Sequence, residues 1–171
     1  QAAREVTKTN SYRLETFQAA DFGFLGYADS DEEAVFYRRA DRAHTVDSEF
    51  AAEGLHQLPR VDIAPAYAGA DGLVVKALAQ AGVNGLVAAG LGSGSSPPPF
   101  MAALKEVSDA GLPVVIATGT GSGRVMQTRR FTEEGYIVAD NLTPKKARIL
   151  LMLALTKTKD KDEIQRMMLV Y

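Results

Sequence analysis

Gly85-Leu86-Val87-Ala88-Ala89-Gly90-Leu91-Gly92-Ser93-Gly94-Ser95-Ser96 decides the fold. A short apolar run opens it and reads as a strand, and the run then breaks into glycine and serine, the chemistry of a loop. Two similar apolar runs flank it, Val61-Asp62-Ile63-Ala64 before and Pro113-Val114-Val115-Ile116-Ala117 after. Between the first two runs, residues 72–81 place Leu73, Val74, Ala77, Leu78 and Ala81 on one helical face, with Gly82 where a helix terminator is expected. Residues 100–110 read as a second helix. Strands alternating with crossover helices imply parallel pairing, so the fold class is α/β, a small doubly wound parallel sheet flanked by helices.

Downstream the pattern continues through an irregular stretch to the apolar run Tyr136-Ile137-Val138-Ala139. Thr143-Pro144 then supplies an N-cap and a first-turn proline whose missing N–H costs nothing. Ile149, Leu150, Leu151, Met152, Leu153 and Leu155 exceed one apolar stripe, which predicts a helix buried on more than one side and a tendency to self-associate. Asp160 and Glu163 form a capping-box-like pair for a final helix.

Upstream, Phe22-Gly23-Phe24-Leu25-Gly26-Tyr27 and Ala34-Val35-Phe36-Tyr37 bracket the acidic patch Asp29-Ser30-Asp31-Glu32-Glu33, a hairpin signal with a longer loop. Residues 38–58 are charged and weakly periodic and read as a linker that ends at Pro59. The chain thus divides into residues 1–58, hairpin plus linker, and residues 59–171, the α/β domain.

With 171 residues, 46% of them hydrophobic, the chain closes one ordinary core plus an extension. Its formal net charge of −2, without a long basic cluster, argues against a nucleic-acid partner. It has no cysteine, which removes disulfides, thiolate metal sites and cysteine nucleophiles. No segment reaches the length of a membrane span, and the start has neither the basic end nor the apolar stretch of a signal peptide, so no membrane partner is expected. A first residue of Gln is read as processing, a boundary, or a piece of something longer.

Two glycine-rich loops carry the candidate chemistry. Residues 90–96 and Thr118-Gly119-Thr120-Gly121-Ser122-Gly123-Arg124 each follow a strand on the same edge of the sheet, where open α/β sheets bind ligands and where glycine lets backbone N–H groups come close. Flexible turns explain the same composition. The first loop departs from the dinucleotide fingerprint, because no glycine sits three places after Gly92 and prolines 97 to 99 occupy the expected start of a phosphate-binding helix. His44 and His56, the only histidines, lie in the linker with no nucleophile or metal spacing around them. Glu133-Glu134 could hold an ammonium group by charge-assisted hydrogen bonds, or be solvated loop residues. No cofactor or metal is implied.

Read together, these segments resemble the type II bacterial L-asparaginase family, including its glutaminase-asparaginase members, over nearly the whole chain. Ala3-Arg4-Glu5-Val6-Thr7-Lys8-Thr9-Asn10, Gly23-Phe24-Leu25-Gly26, His44-Thr45, Leu58-Pro59-Arg60-Val61-Asp62-Ile63 and Asn84-Gly85-Leu86-Val87 carry the resemblance. So do residues 89–95 and, above all, Thr143-Pro144-Lys145-Lys146-Ala147-Arg148-Ile149-Leu150-Leu151-Met152-Leu153-Ala154-Leu155-Thr156.

The resemblance implies a protein of two α/β domains assembled as a dimer of dimers, with sites where the larger amino-terminal domain of one subunit meets the smaller carboxy-terminal domain of its neighbour. A nucleophilic threonine on an amino-terminal Thr-Gly-Gly-Thr turn attacks the side-chain amide, and a second threonine, an aspartate and a lysine move protons. This sequence holds neither that turn nor the Gly-Thr-Asp segment, and Thr118-Gly119-Thr120 lies in the wrong place to replace them. The chain is therefore expected to be the carboxy-terminal half, with no catalytic residue of its own. Its partners are an amino-terminal catalytic domain, further copies of itself, and asparagine or glutamine, or the product acids, as ligand. Periplasmic or secreted placement would follow for a full-length type II member, cytoplasmic placement otherwise.

Two substrate contacts carry over. Ser95 stands where strict asparaginases often have Asn and glutaminase-tolerant relatives have Ser. Glu133, with Glu134 as the alternative, stands at the place of a carboxylate near the substrate's amino group, judged by its distance before Leu142-Thr143-Pro144. Ala117-Thr118-Gly119 departs from the Arg-Ser-Thr or Arg-Ser-Ser of relatives, so that arginine's contact does not carry over. The competing reading is a stand-alone binding or assembly module without enzyme activity.

Overall fold

The computed structural model describes residues 1–30, 33–51, 53 and 55–171. Residues 1–58 contribute two short antiparallel ladders. In the first, β1 (Thr7–Lys8) pairs with β2 (Phe17–Gln18). In the second, β3 (Gly26–Ala28) pairs with β4 (Ala34–Phe36), with Tyr27 opposite Val35. The hairpin expected from the aromatic runs is this second ladder, and the Asp31-Glu32 part of its acidic turn lies outside the described residues. The first ladder has two residues per strand and no sequence pattern announced it. The described residues of 38–58 are irregular apart from a 3₁₀ turn at Thr45–Asp47.

From residue 61 the strand-helix alternation is realised. β5 (Val61–Pro65), α1 (Leu73–Gln80), β6 (Gly85–Gly90), α2 (Pro98–Asp109), β7 (Val114–Thr118), α3 (Arg129–Glu133) and β8 (Ile137–Val138) follow one another, and α4 (Pro144–Ala154) and α5 (Lys161–Val170) complete the chain. The four strands pair in parallel in the order β5-β6-β7-β8, one strand more than the three expected, because the apolar run at residue 136 supplies the fourth. Valines and alanines fill both faces of the sheet, as parallel strands covered on both sides require.

One face packs on the crossover helices, with Phe100, Leu104, Val75, Ile116 and Phe131 in its core. The other packs on α4 and α5, with Val87, Val115, Leu151, Ile164 and Met168 at its centre. Helix α4 buries Ala147, Leu150, Leu151 and Ala154 and leaves Ile149 exposed, so its excess of apolar residues is mostly absorbed within the chain.

Local chemistry sets the ends. The second helix starts two residues earlier than expected: Pro98 and Pro99 lie in its first turn, where an absent N–H loses no bond. Asp160 caps α5 by accepting from the Glu163 N–H at 2.9 Å. Thr143 sits at the N-cap of α4 as expected, yet its side chain makes no capping bond. The stretch read as irregular contains α3, capped by Thr128 accepting from the Phe131 N–H. Glu133 therefore ends a helix, with Glu134 as its C-cap.

Candidate functional site

Register places the glycine-rich turns. Gly90, the last residue of β6, pairs with Thr118, the last of β7, and the Gly119 N–H donates to Gly90 O at 2.7 Å, so both turns leave the same carboxyl edge. The first turn is pinned across its base by Leu91 N–H to Ser95 O at 2.7 Å. Gly94 has φ +95 and lies against Ile116, Val125 and Phe131, where an added β-carbon would sit 2.6 Å from Ile116 Cγ2. Only glycine combines that dihedral with that approach. The buried Gly94 thus anchors the turn, and the next residue, Ser95, stands exposed at the edge.

The second turn is organised by hydroxyls. Thr118 is buried, its Oγ1 lies 2.7 Å from Thr120 Oγ1 and accepts from the Thr120 N–H, and the Thr120 hydroxyl donates to Ser122 O at 2.7 Å. Asp21, from the first part of the chain, accepts from the Gly123 N–H at 2.8 Å. The edge beside Ser95 is thus lined by hydroxyls and backbone, a surface suited to a small polar ligand.

Glu133 is not part of that edge. Helix α3 starts at Thr128 on the carboxyl side and runs back, and β8 re-enters opposite Val115, the second residue of β7. Around Glu133 the chain meets the end of α2 and the start of α5: the Ser108 hydroxyl donates to Gly135 O at 3.3 Å, and Lys161 Nζ lies 3.0 Å from that hydroxyl. Within one chain Ser95 and Glu133 thus face opposite edges of the sheet. Glu133 pairs with Arg129 at 2.7 Å and Glu134 with Arg130 at 2.9 Å, both one helical turn apart. His44 and His56 are exposed in the linker, and His44 Nδ1 lies 3.2 Å from Thr45 Oγ1.

A cavity of about 780 Å³ lies away from both turns. The chain start and linker (Ala3, Arg4, Ala43) and the outer side of α4 (Ile149, Leu150, Leu153) form its walls. Neither Ser95 nor Glu133 lines it. Behind it is a feature that the sequence did not announce. Asp140, two residues after the end of β8 and 5% exposed, receives Arg42 at 3.0 Å and Arg4 at 3.4 Å on Oδ2, and Arg124 at 2.9 Å on Oδ1. Burial, then the neighbouring Arg42, pulls the Arg4 guanidinium down to about 10. Burial likewise lowers Lys146, which donates to Arg4 O at 2.8 Å and to Val6 O. Three guanidiniums from positions 4, 42 and 124 follow no spacing rule, which is why the cluster was illegible.

Residues 60–168 match the family model described as the Glutaminase/Asparaginase C-terminal domain. The chain is similar to L-asparaginase 2 of Bacillus subtilis (strain 168), 38% identical over 96% of this chain and 43% of that protein. It is also similar to L-asparaginase 2 of Escherichia coli (strain K12), 37% identical over 95% of this chain and 47% of that one. Glutaminase-asparaginase of Pseudomonas fluorescens biotype A is 36% identical, covering 100% and 48% respectively. Among solved structures, a probable cytoplasmic L-asparaginase from Campylobacter jejuni superposes with a TM-score of 0.94 at 41% identity, over 99% of this chain and 54% of that one. The chain spans about half the length of the curated relatives it matches.

Proposed function

This chain belongs to the glutaminase/asparaginase family, and from that premise we propose that it supplies one wall of a site hydrolysing the side-chain amide of asparagine, and of glutamine, to the acid and ammonia. The observation that carries this reading is the turn at the carboxyl edge: a glycine anchors it against the core, and Ser95 projects from it beside the hydroxyl-lined turn of residues 118–122. Such a wall binds and orients the substrate. The nucleophile and its proton-transfer partners come from an amino-terminal portion, which places Ser95 at a junction with a neighbouring subunit in a dimer of dimers. The exposed Tyr12, Leu14, Phe36 and Tyr37 support such assembly, because water-facing apolar groups of this size are better covered.

Glu133 enters this reading only through another copy, since it faces away from Ser95 within one chain. An unchanged KM in Glu133→Gln removes it from the site. The chain alone is expected to turn over no asparagine, because orientation without a nucleophile gives little catalysis.

Co-production with the amino-terminal half of the Pseudomonas fluorescens relative is expected to restore amidase activity. In that assembly Ser95→Asn should lower kcat/KM for glutamine more than for asparagine, with little change in Tm. The bulkier side chain takes the room of the extra methylene, which is typically worth about 1–3 kcal/mol of discrimination. Equal losses for both substrates assign Ser95 to the turn and not to the pocket. Self-association without restored activity favours an assembly module.

A further inference from the structure

Resting on the reading of Ser95 as a substrate contact, we propose that Asp140 is a positioning residue that fixes the turn carrying Ser95 and couples it to residues 1–58. Asp140 holds φ 53, a left-handed conformation that non-glycine residues adopt only when their surroundings demand it and that Asp and Asn tolerate best. Its backbone and its side chain grip two adjacent residues, one each. The Val125 N–H donates to Asp140 O at 2.9 Å, while Arg124 Nε pairs with Asp140 Oδ1 at 2.9 Å.

Val125 has no exposed surface, and its Cγ1 lies 3.1 Å from the place where a β-carbon on Gly94 would stand. The chain of contact therefore runs from Asp140 through residues 124 and 125 to Gly94, whose neighbour is Ser95. From the other direction, Arg4 and Arg42 hold the opposite carboxylate oxygen, and Asp21 holds the Gly123 N–H. Three residues of the first part of the chain thus reach two bridged segments of the second, the one after β7 and the one after β8. A carboxylate this buried is stable only while paired. Releasing residues 1–58 would leave the Asp140 carboxylate with Arg124 alone of its three arginines, loosening residues 123–125 and then the turn of Ser95.

The test reads amide exchange in the 171-residue chain, which needs no substrate. Arg124 is 62% exposed, so its removal leaves the core intact. Arg124→Ala is expected to speed exchange about two- to fivefold at residues 123–125 and also at residues 91–95, the scale of one partly exposed ion pair, with Tm unchanged. Arg124→Lys should restore protection, which a purely steric role of the side chain would not allow. Asp140→Asn keeps the shape and the left-handed preference while removing the charge, and should loosen both turns and residues 4–6 together.

In the assembled enzyme Arg124→Ala is expected to raise KM with kcat held. Unchanged exchange at residues 91–95 in both Arg124→Ala and Asp140→Asn overturns the proposal. Faster exchange there, combined with kinetics indifferent to Ser95→Asn, supports the positioning role and overturns only the substrate reading of the turn.

Discussion

Leu151 and Leu14 are the same residue in opposite settings, the first without exposed surface and the second fully exposed. They stand for the two regions of the molecule. Residues 59–171 bury two apolar layers, one on each face of a four-stranded sheet. Among the described residues of 1–58, only Thr16 and Ala19 are buried. That first region keeps its place largely through polar grips on the second, such as Arg4 on the Met168 carbonyl at 3.0 Å, Lys146 on the Arg4 carbonyl, and the Ala43 N–H on the Val170 carbonyl at 2.9 Å. A region that cannot bury its own apolar surface is shaped by what it touches, and it is a natural carrier for contacts to another part of an assembly.

The largest test of this contrast is truncation of the two leucines. Leu151 lies against Gly85 of β6, where a β-carbon would come within 2.9 Å of Leu151 Cδ2. Leu151→Ala opens a cavity in that layer and should cost about 2–5 kcal/mol in chemical denaturation. Leu14→Ala should change stability by less than about 0.5 kcal/mol. Comparable losses would mean that the first region has a core of its own.

A smaller effect is expected where the grips are charged. Arg4 is largely buried, bonds Asn141 Oδ1 at 2.6 Å and the Tyr171 carbonyl, and pairs with Asp140. Arg4→Ala removes these bonds but leaves Asp140 its other two arginines, so the cost should be about 2–3 kcal/mol, at the upper end for hydrogen bonds to a charged group. Limited proteolysis should then cut within residues 1–58 first, with the sheet still protected. Cleavage that begins in the sheet instead would break the division between the regions.

How much of this was legible follows from the same contrast. Strands β5, β6 and β7 and helices α1, α2, α4 and α5 were readable because burial between layers forces apolar runs and helical stripes into the sequence. Helix α3 was not, since five residues with Phe131 as the single buried one leave no periodicity. The ladder of β1 and β2 was invisible for the same reason. Ser95 could be read as an edge residue from the strand before it. The place of Glu133 was judged by chain distance to Thr143-Pro144, which carries no information about which edge of the sheet a residue faces. Asp140 and its arginines could not be found at all, because charge clusters assembled from distant segments have no pattern in one sequence.

The smallest expected effect concerns the linker, and it sharpens the contrast by pH. Glu49 accepts from Arg166 Nη2 at 2.6 Å and from the Tyr171 hydroxyl at 2.8 Å, and the Glu49 N–H donates to that hydroxyl at 3.0 Å, while Phe50 packs on the Tyr171 ring. The bond from Arg166, then that from Tyr171, holds the Glu49 carboxyl below its ordinary value of 4.5. Because the folded value is depressed, the stabilisation is present in full above the unfolded value and is lost as pH falls through the folded one. Acidification below about pH 4 should therefore speed amide exchange at residues 46–50 before it disturbs β6 and β7, whose strands carry no titrating side chain. Glu49→Gln should make exchange at residues 46–50 faster at neutral pH and flatten its acid dependence. An acid response that survives in Glu49→Gln would place the switch elsewhere in the linker and remove Glu49 from the grips that hold the first region to the second.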